Sequence, residues 1–271
     1  MSAPLSPLAA PAAWDDVANG YETDIAPVLS HYSREALRLA GVRAGMNVID
    51  VAAGPGTLAL PAAAAGAHVT ALDFSPAMTS LLERRIATEG LGGITPLVGD
   101  GIALPFPDAA FDAGFSMFGL MFFPDRAKGF AELRRVLKPG AKAVVSSWVP
   151  MPRVPLMLAT FSFLGQQLPD LMPPHPPPPV LSDAATCEAE MAAAGFAHVR
   201  VTEHTAAFTA GSVAEFAASL RRSNATMASL ARRAGDRWAA AEARLLAHLA
   251  GQFDEGPLSM PMTALLTCGT R

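Results

Sequence analysis

Cysteine is nearly absent: Cys187 and Cys268 are the only two in 271 residues. They lie far apart, with no Cys-x-x-Cys pair and no His/Cys cluster at zinc spacing. We expect two reduced thiols, no metal site and a cytoplasmic setting. Charge is scarce as well, at 16% of residues, below the usual quarter. A basic excess is missing: 20 Lys and Arg stand against 24 Asp and Glu, a net charge of −4. A chain built to bind nucleic acid carries a basic surplus, so none is expected as a partner. No apolar run is long enough for a bilayer. The greasiest stretch, Phe111 to Pro124, is short and carries Asp112, so no membrane contact is expected. The first thirteen residues contain no Lys or Arg, unlike a secretory signal, and read as a frayed tail.

What is present is apolar bulk, 51% of residues, arranged in a repeated strand–helix pattern. Trp14 to Leu39 has helical periodicity. Met46 to Ala52 reads as a buried strand, Gly54-Pro55-Gly56 as a tight turn, and Thr57 as the cap of a helix through Ala65. His68 to Leu72 is a second strand, closed by Asp73. Ser75 caps a helix that begins at Pro76 and runs to about Glu89. Strands follow at Ile94 to Val98 and Phe111 to Met117. A helix spans Asp125 to Leu137, with Lys138 in its last turn and Pro139-Gly140 ending it, and a fifth strand covers Ala141 to Trp148. Residues 150 to 182 are Pro-rich and read as irregular covering structure. Then come a helix at Asp183 to Ala194, a strand at Phe196 to His204, helical material over 211 to 252, and a last strand at Met262 to Thr270. This alternation implies a parallel α/β sheet with right-handed crossovers, in a single domain over 1–271.

The densest constellation is Asp50-Val51-Ala52-Ala53-Gly54-Pro55-Gly56, between a strand and a helix, followed by Asp73 at the end of the next strand. Glycines let the backbone approach a ligand. An acidic side chain one β-α-β unit on can accept both hydroxyl protons of a ribose. Gly54, Gly56 and Ala59 also satisfy the dinucleotide fingerprint. Three features favour another nucleoside ligand. Asp50 would repel a pyrophosphate but welcome an amino acid's ammonium. Asp100, ending the third strand, can accept from an adenine amino group. The chain closes with an extra strand rather than a second nucleotide-binding half.

At this point the sequence resembles the class I S-adenosylmethionine-dependent methyltransferases, in particular the small bacterial enzymes similar to the ubiquinone/menaquinone biosynthesis methyltransferases. Five segments carry the likeness: Asn47 to Thr57; Ala71 to Met78; Gly99-Asp100 with Leu104 to Asp108; Phe111-Asp112; and Leu133 to Gly140. One departure is Ala52, which stands where the family's first glycine is usual. The resemblance implies a Rossmann-like, doubly wound seven-stranded sheet of order 3-2-1-4-5-7-6, last strand antiparallel; helical lid insertions are expected at 1–40, 150–182 and 211–256. It implies S-adenosylmethionine as cofactor. The turn Ala52, Gly54, Pro55 and Gly56 would meet its methionine part, with Asp50 in the same pocket as a further cofactor-binding residue. Asp73 would hold the ribose, Phe74 and Met78 would flank the adenine, and Asp100 with the backbone of Gly101 and Ile102 would read its edge. Ser116, Met117 and Phe118 would face the sulfonium.

For the acceptor we expect a small, apolar or aromatic molecule. Phe115, Met117, Phe118, Met121, Phe122 and Phe123 suggest a greasy pocket. A general base, if used, is sought in His31, His175 or Tyr21, which lie in candidate lids, and Tyr21 can instead close over the cofactor. Two readings stand beside this one: an NAD(P)-dependent oxidoreductase, and a non-catalytic module that only binds S-adenosylmethionine. A monomer or homodimer is expected.

Overall fold

The computed structural model describes residues 7–172, 181–253 and 256–271. Seven strands form one sheet: β1 (Asn47–Val51), β2 (His68–Asp73), β3 (Ile94–Val98), β4 (Phe111–Met117), β5 (Leu137–Trp148), β6 (Ala197–Ala210) and β7 (Leu258–Thr270). Their order is 3-2-1-4-5-7-6. Strands 1 to 5 pair in parallel, and β7 is antiparallel to both β5 and β6. The sheet and its reversed last strand are as expected.

The helices are α1 (Pro11–Asp15), α2 (Ala18–Gly20), α3 (Ala26–Ala40), α4 (Ala59–Ala64), α5 (Pro76–Glu89), α6 (Arg126–Val136), α7 (Pro155–Gln167), α8 (Ala184–Ala193), α9 (Val213–Ser223), α10 (Ala225–Ala234) and α11 (Trp238–Ala250). Ser75, Asp125 and Asp183 cap α5, α6 and α8 through bonds from the N–H three residues on, so the first-turn donors find acceptors. Buried side chains pack on both faces of the sheet. Ile49, Leu72, Leu133 and Leu137 are buried on one face, and Val48, Val69, Phe115 and Val144 on the other.

Five expectations are corrected. The N-terminal tail is not frayed from residue 7 onward: Pro7–Ala9 is a 3-10 turn and α1 starts at Pro11. The Trp14–Leu39 helix is broken, with a π-helical turn at Tyr21–Ile25 between α2 and α3. Thr57 caps nothing; α4 begins at Ala59 behind Leu58, with no side-chain cap. Lys138 lies in β5, where it pairs with Asp112 at 2.6 Å, and the helix ends at Val136. Within 150–182, α7 is a regular helix: Pro155 stands at its first position, where no hydrogen bond is lost. The prolines from 173 on lie outside the described residues.

Candidate active site

The strand order turns outward in opposite directions from β1, which pairs with β2 on one side and β4 on the other. Crevices at the carboxyl ends of such strands bind ligands, and a cavity lies there. Its floor is Ala52 to Pro55 with Thr57. One side carries Leu72, Asp73, Phe74 and Met78, and the next strand adds Gly99 to Ile102. The opposite side is Met117 to Gly119 with Phe122 to Pro124, and the roof is Leu8, Ala9, Trp14 and Tyr21. None of these lining residues is a Lys, Arg or His.

Asp73 is 6% exposed. Its carboxylate accepts from the Gly54 N–H and the Ser75 N–H, both at 2.8 Å. Burial pushes its pKa up to about 6, although these hydrogen bonds pull the other way; Asp15 adds to the rise. It remains ionised at neutral pH. Asp50 lies beneath the turn, 1% exposed and off the cavity wall, and neither of its oxygens has a hydrogen-bond partner. Burial first, and the Asp73 charge second, push it up to about 8; the Ala59 N–H, short of full hydrogen-bond geometry, opposes this.

The two glycines of the turn differ. Gly54, at φ +55°, has open space where a Cβ would project. Gly56, at φ +84°, is off the cavity wall, and a Cβ there would come within 2.4 Å of Leu82 Cδ1. Gly54 keeps backbone next to a ligand space, while Gly56 lets the turn pack on α5. Two non-glycine residues on the wall are also left-handed: Ala52 at φ +60° and Phe118 at φ +58°. Such geometry costs about 1–2 kcal/mol and collects at functional sites. It is braced from below. The Phe118 N–H donates to buried Ser146 Oγ at 2.9 Å, and the Leu120 N–H to Ser116 Oγ at 3.0 Å. Ser116 itself is fully buried and off the wall.

Thus Ala52, Gly54, Pro55, Asp73, Phe74, Met78, Asp100, Gly101, Ile102, Met117 and Phe118 line one cavity, and Asp50, Gly56 and Ser116 stand behind it. Phe122 and Phe123 join the wall, whereas Phe115 and Met121 are core. Tyr21 is on the roof. Burial and the Asp73 charge hold its phenol well above the ordinary range. His31 is exposed, edge-on to Tyr32 at 5.7 Å, and absent from the cavity wall. His175 lies outside the described residues. Sequence reasoning missed Leu8 and Ala9 as wall residues; Trp14, in the expected 1–40 lid, is on the roof. The Trp14 indole donates to the Leu8 carbonyl at 2.9 Å and packs 5.2 Å from the Phe122 ring. The uncharged Pro-Leu-Ala-Ala-Pro stretch was the signal available. Arg221, Arg222, Arg232 and Arg237 face Glu242, Asp24, Asp16 and Asp170, so these late arginines are engaged in ion pairs within the protein.

The cavity chemistry fits a cationic nucleoside. Asp73 holds negative charge at the wall, and its grip on the Gly54 N–H removes a donor that a pyrophosphate would need. A family model described as "Methyltransferase domain" matches residues 49–145, from β1 into β5. A demethylmenaquinone methyltransferase of Thermus thermophilus is 36% identical over 184 residues, covering 61% of this chain and 80% of that protein. The chain belongs to the class I S-adenosylmethionine-dependent methyltransferases. An uncharacterised protein of Mycobacterium tuberculosis is 41% identical, but over only 41% of this chain and 40% of its own. Among solved structures, the Bacillus subtilis YcgJ protein shares the fold, with TM-score 0.58 at 18% identity, covering 89% of this chain and 98% of its own. A Haemonchus contortus phosphoethanolamine N-methyltransferase, solved with S-adenosylhomocysteine, gives TM-score 0.55 at 18% identity, covering 89% and 52%. This methyltransferase is an enzyme that uses S-adenosylmethionine, and the oxidoreductase and binding-only readings find no support.

Proposed function

We propose that this methyltransferase transfers a methyl group to a small aromatic molecule of the phenol or hydroquinone kind. The observation that carries the reading is the aromatic wall formed by Trp14, Phe118, Phe122 and Phe123, beside a cleft without a cationic side chain. The name of the Thermus relative points to the same acceptor class. In this reading the turn at Ala52 to Pro55 receives the methionine end and Asp73 accepts from the ribose hydroxyls. Phe74 and Met78 sandwich the adenine, and Asp100 to Ile102 read its edge. Bound there, S-adenosylmethionine supplies a methyl group already activated on a sulfonium. The protein's part is to hold the acceptor in line near the methyl and exclude water. Phe118, Phe122 and Phe123 suit both tasks.

Proton removal falls to no histidine of the described wall. Tyr21 keeps its proton at neutral pH and serves as a donor over the cofactor rather than a base. An acceptor whose hydroxyl is acidic needs only weak help, and phenols and hydroquinols meet that condition. We place the enzyme in the cytoplasm, as a monomer or homodimer. No helix among the described residues is long and apolar enough to cross a membrane. The test is transfer of labelled methyl to a panel of naphthols, hydroquinones, aliphatic amines and short RNA. Labelling of aromatic hydroxyl compounds or their ring carbons supports the reading, and labelling of amines or RNA alone overturns it.

A further inference from the structure

The roof of the cavity has no covalent neighbour in the sheet, since β1 begins only at Asn47. A small apolar cluster (Ala13, Val17 and Ala18 with Met78, Leu81 and Ala225) and a set of acidic side chains hold it. All four acidic residues between positions 15 and 24 reach to other elements. Asp16 meets Arg232 of α10, Glu22 lies 3.7 Å from Arg85 of α5, and Asp24 lies 2.8 Å from Arg222 of α9. Asp15 differs from these surface pairs. Its Oδ1 accepts from Ser75 Oγ at 2.5 Å and from the Ala77 N–H at 3.2 Å. It therefore sits at the positive end of α5, the helix that follows Asp73 and Phe74.

The first turn of α5 accounts for the fit. Pro76 has no N–H. The Met78 N–H is taken by Ser75 Oγ and the Thr79 N–H by the Ser75 carbonyl. The Ala77 N–H would be orphaned, and a carboxylate from sixty-two positions upstream fills the vacancy. Ser75, 0% exposed, thus ties two things at once: its N–H holds the Asp73 carboxylate, and its hydroxyl holds Asp15. One residue before Asp15 is Trp14; Tyr21 stands 6.4 Å from that ring.

We infer that Asp15 is the positioning residue that fixes Trp14 and Tyr21 over the cofactor, by capping α5 from outside the helix. The inference rests on the reading that the cleft holds S-adenosylmethionine. Asp15 is not on the cavity wall. It sets the closed position of the roof, and so governs how long the nucleoside stays.

The test measures S-adenosylhomocysteine affinity by calorimetry, its dissociation rate by chase of labelled compound, and ligand-free melting, on full-length protein. Asp15→Ala should raise the dissociation constant about tenfold, the size of one lost charge-assisted hydrogen bond, mostly through faster release. Asp15→Asn keeps an acceptor oxygen and should recover most of that loss. Asp16→Ala, which removes a surface pair, should bind like the parent. If Asp15→Ala lowers melting but leaves affinity and release within twofold, Asp15 is only a structural cap and the inference fails. A separate control is Asp73→Ala. If that variant binds as tightly as the parent, the cleft reading itself falls, and the inference with it.

Discussion

The Asp73 carboxylate and the Gly54 N–H, 2.8 Å apart, join the end of β2 to the turn that follows β1. One side chain thereby shapes the glycine turn and presents its remaining lone pairs to the cavity. Asp73→Ala should cost in both places. The Gly54 and Ser75 donors lose their acceptor, for a destabilisation of about 1–3 kcal/mol. Affinity for S-adenosylhomocysteine should fall about tenfold or more. Melting and calorimetry on one preparation separate the two effects, and unchanged affinity would remove Asp73 from the nucleoside site.

The turn glycines should fail differently. Gly56→Val drives a branched side chain into Leu82 and Leu60 and should sharply lower the melting temperature. Gly54→Val meets open space and pays mainly left-handed strain of about 1–2 kcal/mol, yet fills ground that backbone vacates for a ligand. It should remain folded by circular dichroism and lose cofactor binding. A Gly54→Val protein that binds normally would make the turn purely structural.

Much of this was legible because the physics is local. A strand ending in Asp50, a glycine turn, and Asp73 one unit later announce a switch-point crevice in any chain. Ser75-Pro76 and Asp125 announce helix starts by capping chemistry alone. The roof was not legible in the same way. Asp15 caps α5 across 62 residues of sequence, and no spacing rule connects them. Counting strand ends puts Asp50 and Ser116 on the wall, because the count does not say which face each side chain takes. Ser116 in fact spends its hydroxyl on the Leu120 N–H, bracing the wall from behind.

Asp50 and Asp73 should give the ligand-free enzyme an unusual pH dependence. An acid whose pKa is higher folded than unfolded retains a proton that the unfolded chain has already released. Rising pH therefore favours unfolding across that interval. For Asp50 the interval runs from the ordinary value, 3.8, to about 8, and the slope approaches about 1.4 kcal/mol per pH unit. For Asp73 it ends at about 6. Asp50→Asn should flatten the stability profile between about pH 4 and 8. If its profile parallels the parent's, burial of the Asp50 charge carries no such penalty. Cofactor binding should weaken as pH falls through about 6, because a protonated Asp73 accepts less well from ribose hydroxyls.

Tyr21→Phe distinguishes a cofactor cover from a base. The phenol is held above its usual range by burial and by Asp73, so it does not ionise near neutrality. We expect a turnover number within about tenfold of the parent, since a general base commonly contributes 10²–10⁴-fold. The KM for S-adenosylmethionine should rise. Loss of an alkaline ionisation from the pH–rate profile of Tyr21→Phe would instead assign it the base role.

Hydrogen exchange can show whether the roof opens and where it ends. The sequence suggested a lid through residue 40, but α3 is anchored. Tyr32 is 0% exposed, and its hydroxyl donates to the Met262 carbonyl at 2.5 Å while accepting from the Ala206 N–H at 3.3 Å. Residues before Ala26 are held by the Asp15 cap on α5, by ion pairs near the surface, and by a small apolar cluster of Ala13, Val17 and Ala18 with Met78, Leu81 and Ala225. Exposed ion pairs contribute little individually and are screened by salt, and elements that gate a site come from the least stable part of a fold. Hydrogen exchange over residues 11 to 25 should therefore be fast in the ligand-free protein and slow when S-adenosylhomocysteine is added. It should quicken in high salt. Residues 28 to 38 should stay protected in every condition, as should Val48 to Val51. If 11 to 25 are as protected as β1 without ligand, the roof is a fixed wall. If 28 to 38 also open, the Tyr32 anchor is weaker than its geometry implies, and the hinge lies beyond Ala40.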